Sequence, residues 1–266
     1  YERPVGIQIF GGDEEAMAMS AKIVETVNPD LVDINFGCPV KKVVCKGAGA
    51  GVLKDIDLMI RLTKAVVNST HLPVTVKTRL GWDTETINIM EVAERLQDTG
   101  IKALTIHART RSQMYKGEAD WDYISKVKNN PNIEIPIFGN GDVDSPEKAL
   151  EYKQKYDCDG IMIGRGAIGY PWIFNEIKHF FETGEKLPEP TITDRLLAVR
   201  QHAEWSMEWK GERLGLIEMR QHYSNYFRGI PHFKDFRRKF LEVFTLEEMD
   251  QVIAEAADFY KQNSFV

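Results

Sequence analysis

Six short apolar runs, each followed by a helix-like stretch, constrain the fold of this 266-residue chain more than any other feature. The runs are Pro4–Phe10, Leu31–Ile34, Pro73–Lys77, Ala103–His107, Ile135–Gly139 and Gly160–Gly164. Helices are predicted near Asp13–Val27, Asp55–Val67, Thr84–Asp98 and Asp122–Lys128, from the Ser145-Pro146 pair onward, and near Pro171–Phe181. The interval of roughly 25 to 40 residues is what a strand, a helix and two loops occupy. Alternating βα units give parallel strands. Polar residues collect at the ends of the runs: Gln8, Asn35, Lys77, His107, Asn140 and the Gly164-Arg165 pair. A doubly wound sheet would gather such residues toward one crevice, whereas a (β/α)8 TIM-type barrel carries them around its C-terminal rim. Their even spread favours the barrel. A closed barrel takes eight strands; six are visible and the chain opens on Tyr1, so two N-terminal βα units are expected to be missing from the chain as given. The barrel is expected over residues 1–182. A linker at 183–192 follows, and then a small helical bundle at 193–266, where no strand-like run occurs.

Apolar residues make up 43% and charged residues 28% of the chain, as in ordinary soluble globular proteins. No apolar run approaches the roughly 18 residues that span a bilayer. Cys38, Cys45 and Cys158 cannot all pair and match no zinc spacing, which fits a reducing cytoplasm. The net charge of −6 argues against a protein coated in nucleic acid, but charge is polarised along the chain. Trp209–Phe240 holds eight basic and three acidic side chains, whereas Thr245–Asp258 holds five acids and no Lys or Arg. A local basic patch of the first kind can hold phosphates.

Candidate chemistry begins in the stretch Asp33–Gly51. Gly37 permits a tight turn and Pro39 stops the strand, so Cys38 is held on the first loop turn past a strand end. A cysteine is more often a small buried residue than a reactive one, but this edge is where α/β proteins carry out chemistry. Gly139-Asn140-Gly141-Asp142 and Gly160–Ala167 are glycine-bearing loops of a kind that binds phosphate through backbone N–H groups, and Arg165 adds a fixed positive fork. Lys77 could snorkel past the sheet end or meet an anion or the edge of an electron-rich ring. His107 occupies the same position on the next strand. With Gln8 and a phosphate site on the same rim, these residues suit a ring-shaped cofactor lying across the barrel mouth, and flavin mononucleotide (FMN) fits. Ligands of metal-binding type do not cluster.

Asp33-Ile34-Asn35-Phe36-Gly37-Cys38-Pro39, the lysine-rich loop to Gly51, Val76-Lys77-Thr78-Arg79, Ile106-His107-Ala108-Arg109-Thr110, Gly139-Asn140-Gly141-Asp142 and Ile163-Gly164-Arg165-Gly166 occur in that order. Together they resemble the tRNA-dihydrouridine synthase family, in its bacterial branch with G-C-P-x-K-K after the asparagine. The resemblance implies an FMN barrel with a C-terminal helical tRNA-binding domain, reducing a uridine C5–C6 bond with NADPH as electron source. Carried onto this sequence, it makes Cys38 the acid that protonates C5 while FMN gives hydride to C6. Asn35 and Tyr115 would contact the substrate. Gln8, Lys77 and His107 would hold the isoalloxazine, and Asn140, Gly141, Asp142, Gly164 and Arg165 the ribityl phosphate. Lys41, Lys42, Arg109, Arg111, Arg220 and Arg228 would meet tRNA phosphates, which position without reading sequence. The family's first flavin-contacting loop has no counterpart in the chain as given, and Cys45 is expected to be incidental. Two other readings stand beside this one. A flavin barrel acting on a free pyrimidine, resembling dihydroorotate or dihydropyrimidine dehydrogenases, would not need the basic helical tail. A flavin-free RNA-binding barrel would not need Cys38, Lys77 and His107 together.

Overall fold

The computed structural model describes residues 3–263. Strands β1 (Gly6–Ile9), β2 (Leu31–Asn35), β3 (Val74–Arg79), β4 (Ala103–His107), β5 (Ile137–Asn140) and β6 (Gly160–Met162) form one sheet in the order β1-β2-β3-β4-β5-β6. Every pairing is parallel. Each βα unit therefore lays its strand beside the previous one with no reversal of direction, which is barrel topology and not that of a doubly wound sheet. The helices of this part are α1 (Glu14–Glu25), α2 (Lys41–Val44), α3 (Ile56–Val67), α4 (Ile89–Gln97), α5 (Asp122–Lys128) and α6 (Pro146–Tyr156). Side-chain caps start α1 and α3: Asp13 accepts from the Ala16 N–H, and Asp55 from the Leu58 N–H. Helix α4 begins five residues later than the sequence suggests. Asp83 accepts from the N–H groups of Glu85 and Thr86 and from the Thr86 hydroxyl, and this Asx turn outcompetes a helical start.

Alternation in the strands divides the sheet into two unlike faces. Val32, Ile34, Val74, Val76, Leu104, Ile106 and Ile137 are at most 3% exposed and belong to the core with Met17, Met59, Leu62, Val66, Val92 and Leu96 of the helices. Full burial of each such side chain is worth about 1.5–3 kcal/mol. A one-residue register slip would exchange this set for Asp33, Thr75 and Lys77, so the register is firmly fixed. The second face carries the polar residues.

The described residues fall into two compact units. One lies within Tyr1–Val143 and Lys148–Gly164, the other within Asp144–Glu147 and Arg165–Val266. The second contains α7 (Ile173–Thr183), α8 (Ile192–Lys210), α9 (Glu212–Tyr226), α10 (Lys234–Glu242) and α11 (Leu246–Gln262). Where the sequence suggested a break at 183–192, α7 ends on left-handed Gly184 and α8 starts at a capping box of Thr191 and Asp194, but the division between units falls earlier, after Gly164. Within this unit Trp172 meets Tyr226 edge-on at 6.5 Å, and the Arg195 guanidinium lies 5.3 Å from the Tyr170 ring centroid. The helical core comprises Leu196, Val199, Leu216, Met219, Phe240, Met249, Ala256 and Tyr260, among others. Among the described residues, no helix is long and apolar enough to cross a membrane.

Candidate active site

Parallel register sorts the polar face of the sheet into rungs, since paired residues on neighbouring strands project to the same side. Gln8, Asp33 and Thr75 form the first rung. Asn35, Lys77, Thr105 and Phe138 form the second. Arg79, His107, Asn140 and Met162 form the third. The residues expected around a single rim therefore share one face but occupy successive levels. Gln8 donates to Asp33 Oδ2 at 2.6 Å, and the Thr75 hydroxyl donates to Asp33 Oδ1 at 2.6 Å. Asp33 thus fixes the first rung across three strands.

The loop carrying Cys38 grows directly from this network. Asn35 Nδ2 donates to Gln8 Oε1 at 2.8 Å, while Asn35 Oδ1 accepts from the N–H groups of Gly37 and Cys38, both at 2.9 Å. Asn35, expected at the substrate, here turns the backbone that presents Cys38. From the other side the Cys38 carbonyl accepts from the Ala50 N–H at 3.0 Å. Gly49 makes this approach possible: its φ is +54°, and a Cβ there would lie 3.0 Å from both the Cβ and the carbonyl oxygen of Cys38.

Arg79, not singled out from sequence as a site residue, organises the mouth. It is 2% exposed, donates from Nε to the Gly37 carbonyl at 2.7 Å, and donates from Nη1 to the carbonyls of Thr110 and Met114 at 3.0 and 2.9 Å. One guanidinium thereby joins the Cys38 loop to the loop after β4. Burial, with the charges of Arg109 and Arg111 nearby, lowers its pKa to about 10. Tyr115 belongs to the joined loop; its ring centroid lies 5.7 Å from the Arg79 guanidinium and 6.3 Å from the His107 ring. His107 is 6% exposed, and burial followed by the charges of Arg79, Lys77 and Arg109 pushes its pKa down to about 3, so the imidazole is neutral. Lys77 is pushed down to about 8, first by burial and then by Arg79, with Asp33 opposing. Among the described residues, neither the Lys77 amine nor the His107 ring nitrogens have a hydrogen-bond partner. Cys38, Lys77, Arg79, His107 and Tyr115 thus belong to one polar mouth, with Gln8 and Asn35 beneath the Cys38 loop.

Other expected residues fall elsewhere. Arg109 does not present a surface charge to a phosphate: it is 2% exposed and makes a two-pronged pair with Asp142, Nη1 to Oδ1 and Nη2 to Oδ2, both at 2.7 Å. It also donates to the Lys116 and Gly117 carbonyls. Asp142, expected near the ribityl phosphate, accepts in addition from the Ala119 N–H at 2.9 Å. The pair locks the loop after β4 to the loop after β5. Asn140 donates to the Met162 carbonyl at 2.8 Å, and a Cβ on Gly164 would meet only the Asn140 amide, at 3.9 Å, which leaves room for a ligand. Gly141 has φ +133° and carries its backbone beside the His107 ring. Arg165 belongs to the other unit, where it opens a short 3-10 turn, Arg165–Ala167.

Lys41 and Lys42 are exposed in the first turn of α2, on the Cys38 loop, with no ion-pair partner among the described residues. In the helical unit, Arg228 is exposed and donates to Asn225 Oδ1, whereas Arg220 is half-buried over the Phe244 ring at 4.9 Å. A further cationic feature joins the segments after β2, β3 and β4. Lys54 Nζ is 3.8 Å and the Arg111 guanidinium 4.5 Å from the Trp82 ring centroid. Period two would have found Arg79, which lies two residues beyond Lys77 and so shares its face. No local signal marks Trp82 or Lys54.

The family profile described as dihydrouridine synthase (Dus) matches residues 1–262. The chain is 40% identical over 259 residues to a Synechocystis sp. protein named "Probable tRNA-dihydrouridine synthase 1", covering 96% of this chain and 72% of that one. It is 42% identical over 242 residues to tRNA-dihydrouridine synthase B of Vibrio cholerae, covering 91% and 74%. Against tRNA-dihydrouridine synthase B of Pseudomonas syringae pv. tomato it is 39% identical over 259 residues, covering 97% and 75%. A match across both the polar-faced sheet and the helical region, at this identity, places the chain in the dihydrouridine synthase family.

Proposed function

We propose that this protein reduces the C5–C6 double bond of uridines in tRNA, with Cys38 as the proton donor to C5. The observation that carries the reading is the convergence of Cys38, Lys77, Arg79, His107 and Tyr115 on one mouth, in a chain about 40% identical to proteins named for this activity. A flavin suits the residues present. Lys77 is a desolvated amine that lacks an acceptor among the described residues, and His107 is a neutral, buried ring one rung further along the same face. Both need polar partners that a flavin's ring edge offers. FMN would be held by Lys77, His107, Gln8 and Asn140, with the open backbone of Gly141 and Gly164 toward its phosphate; when bound and reduced by NADPH, it supplies hydride to C6.

The protein's own part is positioning and proton delivery. C5 is a carbon, so its acid must be brought close and held. Asn35 and Gly49 fix the backbone of Cys38 from two sides, and Arg79 ties the same loop to the segment bearing Tyr115. The thiol gives its proton to C5 as C6 gains hydride; the thiolate then recovers a proton from solvent, and the cation of Arg79 stands by the same loop. A uridine in a folded RNA must leave its stack to reach such a mouth, and exposed Lys41 and Lys42 supply charge for the flanking phosphates.

The test is dihydrouridine formation in bulk tRNA, with free uracil and uridine as controls, using flavin-loaded protein and NADPH. Product in tRNA alone is expected. Product from free uracil at a comparable rate would favour the free-pyrimidine reading, and protein that stays colourless when given FMN would favour the flavin-free one. Cys38→Ala should keep its flavin and its reduction by NADPH yet lose at least ~100-fold in product formation, the range for a positioned general acid being about 10²–10⁴.

A further inference from the structure

We propose that the helical unit carries a docking site for an unpaired nucleobase of the RNA, formed between α8 and α9 by Trp205, Trp209, His202 and His222. The inference rests on the RNA reading above and adds a contact remote in sequence from the Cys38 loop. On α8, His202, Trp205 and Trp209 follow at three- and four-residue intervals, which puts three rings on one helix face. On α9, Glu218 and His222 are four apart and share a face in the same way. The two helices enclose a cavity of about 240 Å³ lined by these residues and by Ser206.

At such positions a helical hairpin ordinarily buries core side chains, yet Trp205 is 48% and Trp209 81% exposed. Large aromatic surface gains much on burial, so two uncovered indoles side by side mark a ligand surface. The lining is also polar at its edges. His202 Nδ1 lies 3.1 Å from the Tyr226 hydroxyl. Burial lowers the pKa of both imidazoles, so each is neutral near pH 7 and offers one donor and one acceptor nitrogen. Among the described residues, the His222 ring and both indole N–H groups have no hydrogen-bond partner. Flat apolar faces edged by donors and acceptors complement a heteroaromatic base.

Charge decides between the base and the phosphate as the occupant. Lys210 is ion-paired with Glu218, and its Nζ lies 4.5 Å from the Trp209 ring centroid, so the cavity wall is neutral and does not favour an anion. Exposed Arg213, four residues beyond Trp209, has no ion-pair partner among the described residues and can meet the backbone. Aromatic faces for bases interleaved with cations for phosphates are how single-stranded nucleic acid is held.

Indole fluorescence and affinity test this on the full chain. The probes are unmodified tRNA, a single-stranded oligoribonucleotide, and the same oligoribonucleotide made abasic. Quenching is expected with the first two and not with the abasic strand. Trp209→Ala and Trp205→Ala should each weaken tRNA binding roughly 5- to 100-fold, the range for one stacked base. Trp209→Phe should retain most of the affinity, and the salt slope should not change, because every phosphate keeps its cation. Arg213→Glu should instead lower the salt slope. Wild-type affinity in both alanine variants, or equal quenching by the abasic strand, would overturn the docking site while leaving tRNA reduction intact. Failure of the wild-type protein to bind or modify tRNA would remove the RNA reading and the site together.

Discussion

Lys77 and His107 stand on adjacent strands and are shifted in the same direction by the same causes, loss of water first and neighbouring cations second. Their consequences for stability fall on opposite sides of neutrality. Between pH 8 and 10.5 the unfolded chain still holds the Lys77 proton that the folded chain has released, so stability rises with pH across that window; below pH 8 the full cost of the buried ammonium is present. Between pH 6.5 and 3 the unfolded chain binds a proton on His107 that the folded chain refuses, so stability falls as pH drops. Urea midpoints of the flavin-free protein should therefore show an alkaline rise that Lys77→Met removes and an acid fall that His107→Asn reduces. Variants that track the wild type at every pH would mean that these groups titrate normally. Lys77 and His107 were legible in the sequence because a polar residue at the end of an apolar run has little reason to be there. Arg79 was not, since an arginine past a strand end can as well reach solvent as three carbonyls.

Loops after the strands are held by very specific pieces of backbone and by the part-buried Arg109–Asp142 ion pair. Gly49→Ala places a methyl against Cys38 in a conformation that costs an L-residue about 1–2 kcal/mol, so it should lower Tm and reduce product formation while the protein still takes up FMN. Loss of flavin without loss of turnover per bound flavin would move Gly49 out of the Cys38 loop's support. The Arg109–Asp142 pair gives a second expectation. Removing one partner of a fully buried pair typically costs about 3–5 kcal/mol because a charge is left uncompensated; Arg109 is buried but Asp142 is partly exposed, so Asp142→Asn should destabilise the protein by less than that yet measurably lower its Tm. An Arg109 that served only as an RNA contact would give unchanged thermal unfolding and weaker tRNA binding, the opposite pattern. Strand positions and helix types were legible from periods of 2 and 3.6 residues, whereas the late start of α4 was not, because the Asx turn at Asp83 depends on hydrogen bonds that compete at close range.

At the scale of the molecule, cations gather on the loops beside the polar mouth, as exposed Lys41 and Lys42 and the Lys54 and Arg111 pair on Trp82 illustrate. Replacing Lys41 and Lys42 by Glu should weaken tRNA binding and reduce the slope of log affinity against log salt by about 0.7–0.9 for each phosphate that is no longer neutralised. An unchanged slope would place the RNA backbone elsewhere. The sequence by itself determined six parallel strands, one polar face and a basic helical tail, because alternation and charge runs are properties of neighbours along the chain. Tertiary structure alone decided that Arg109 faces a carboxylate instead of a phosphate and that Arg79 binds two loops together. The physical reason is that a charged side chain takes its role from the partner it meets, and for Arg109 and Arg79 those partners lie at least 31 residues away along the chain.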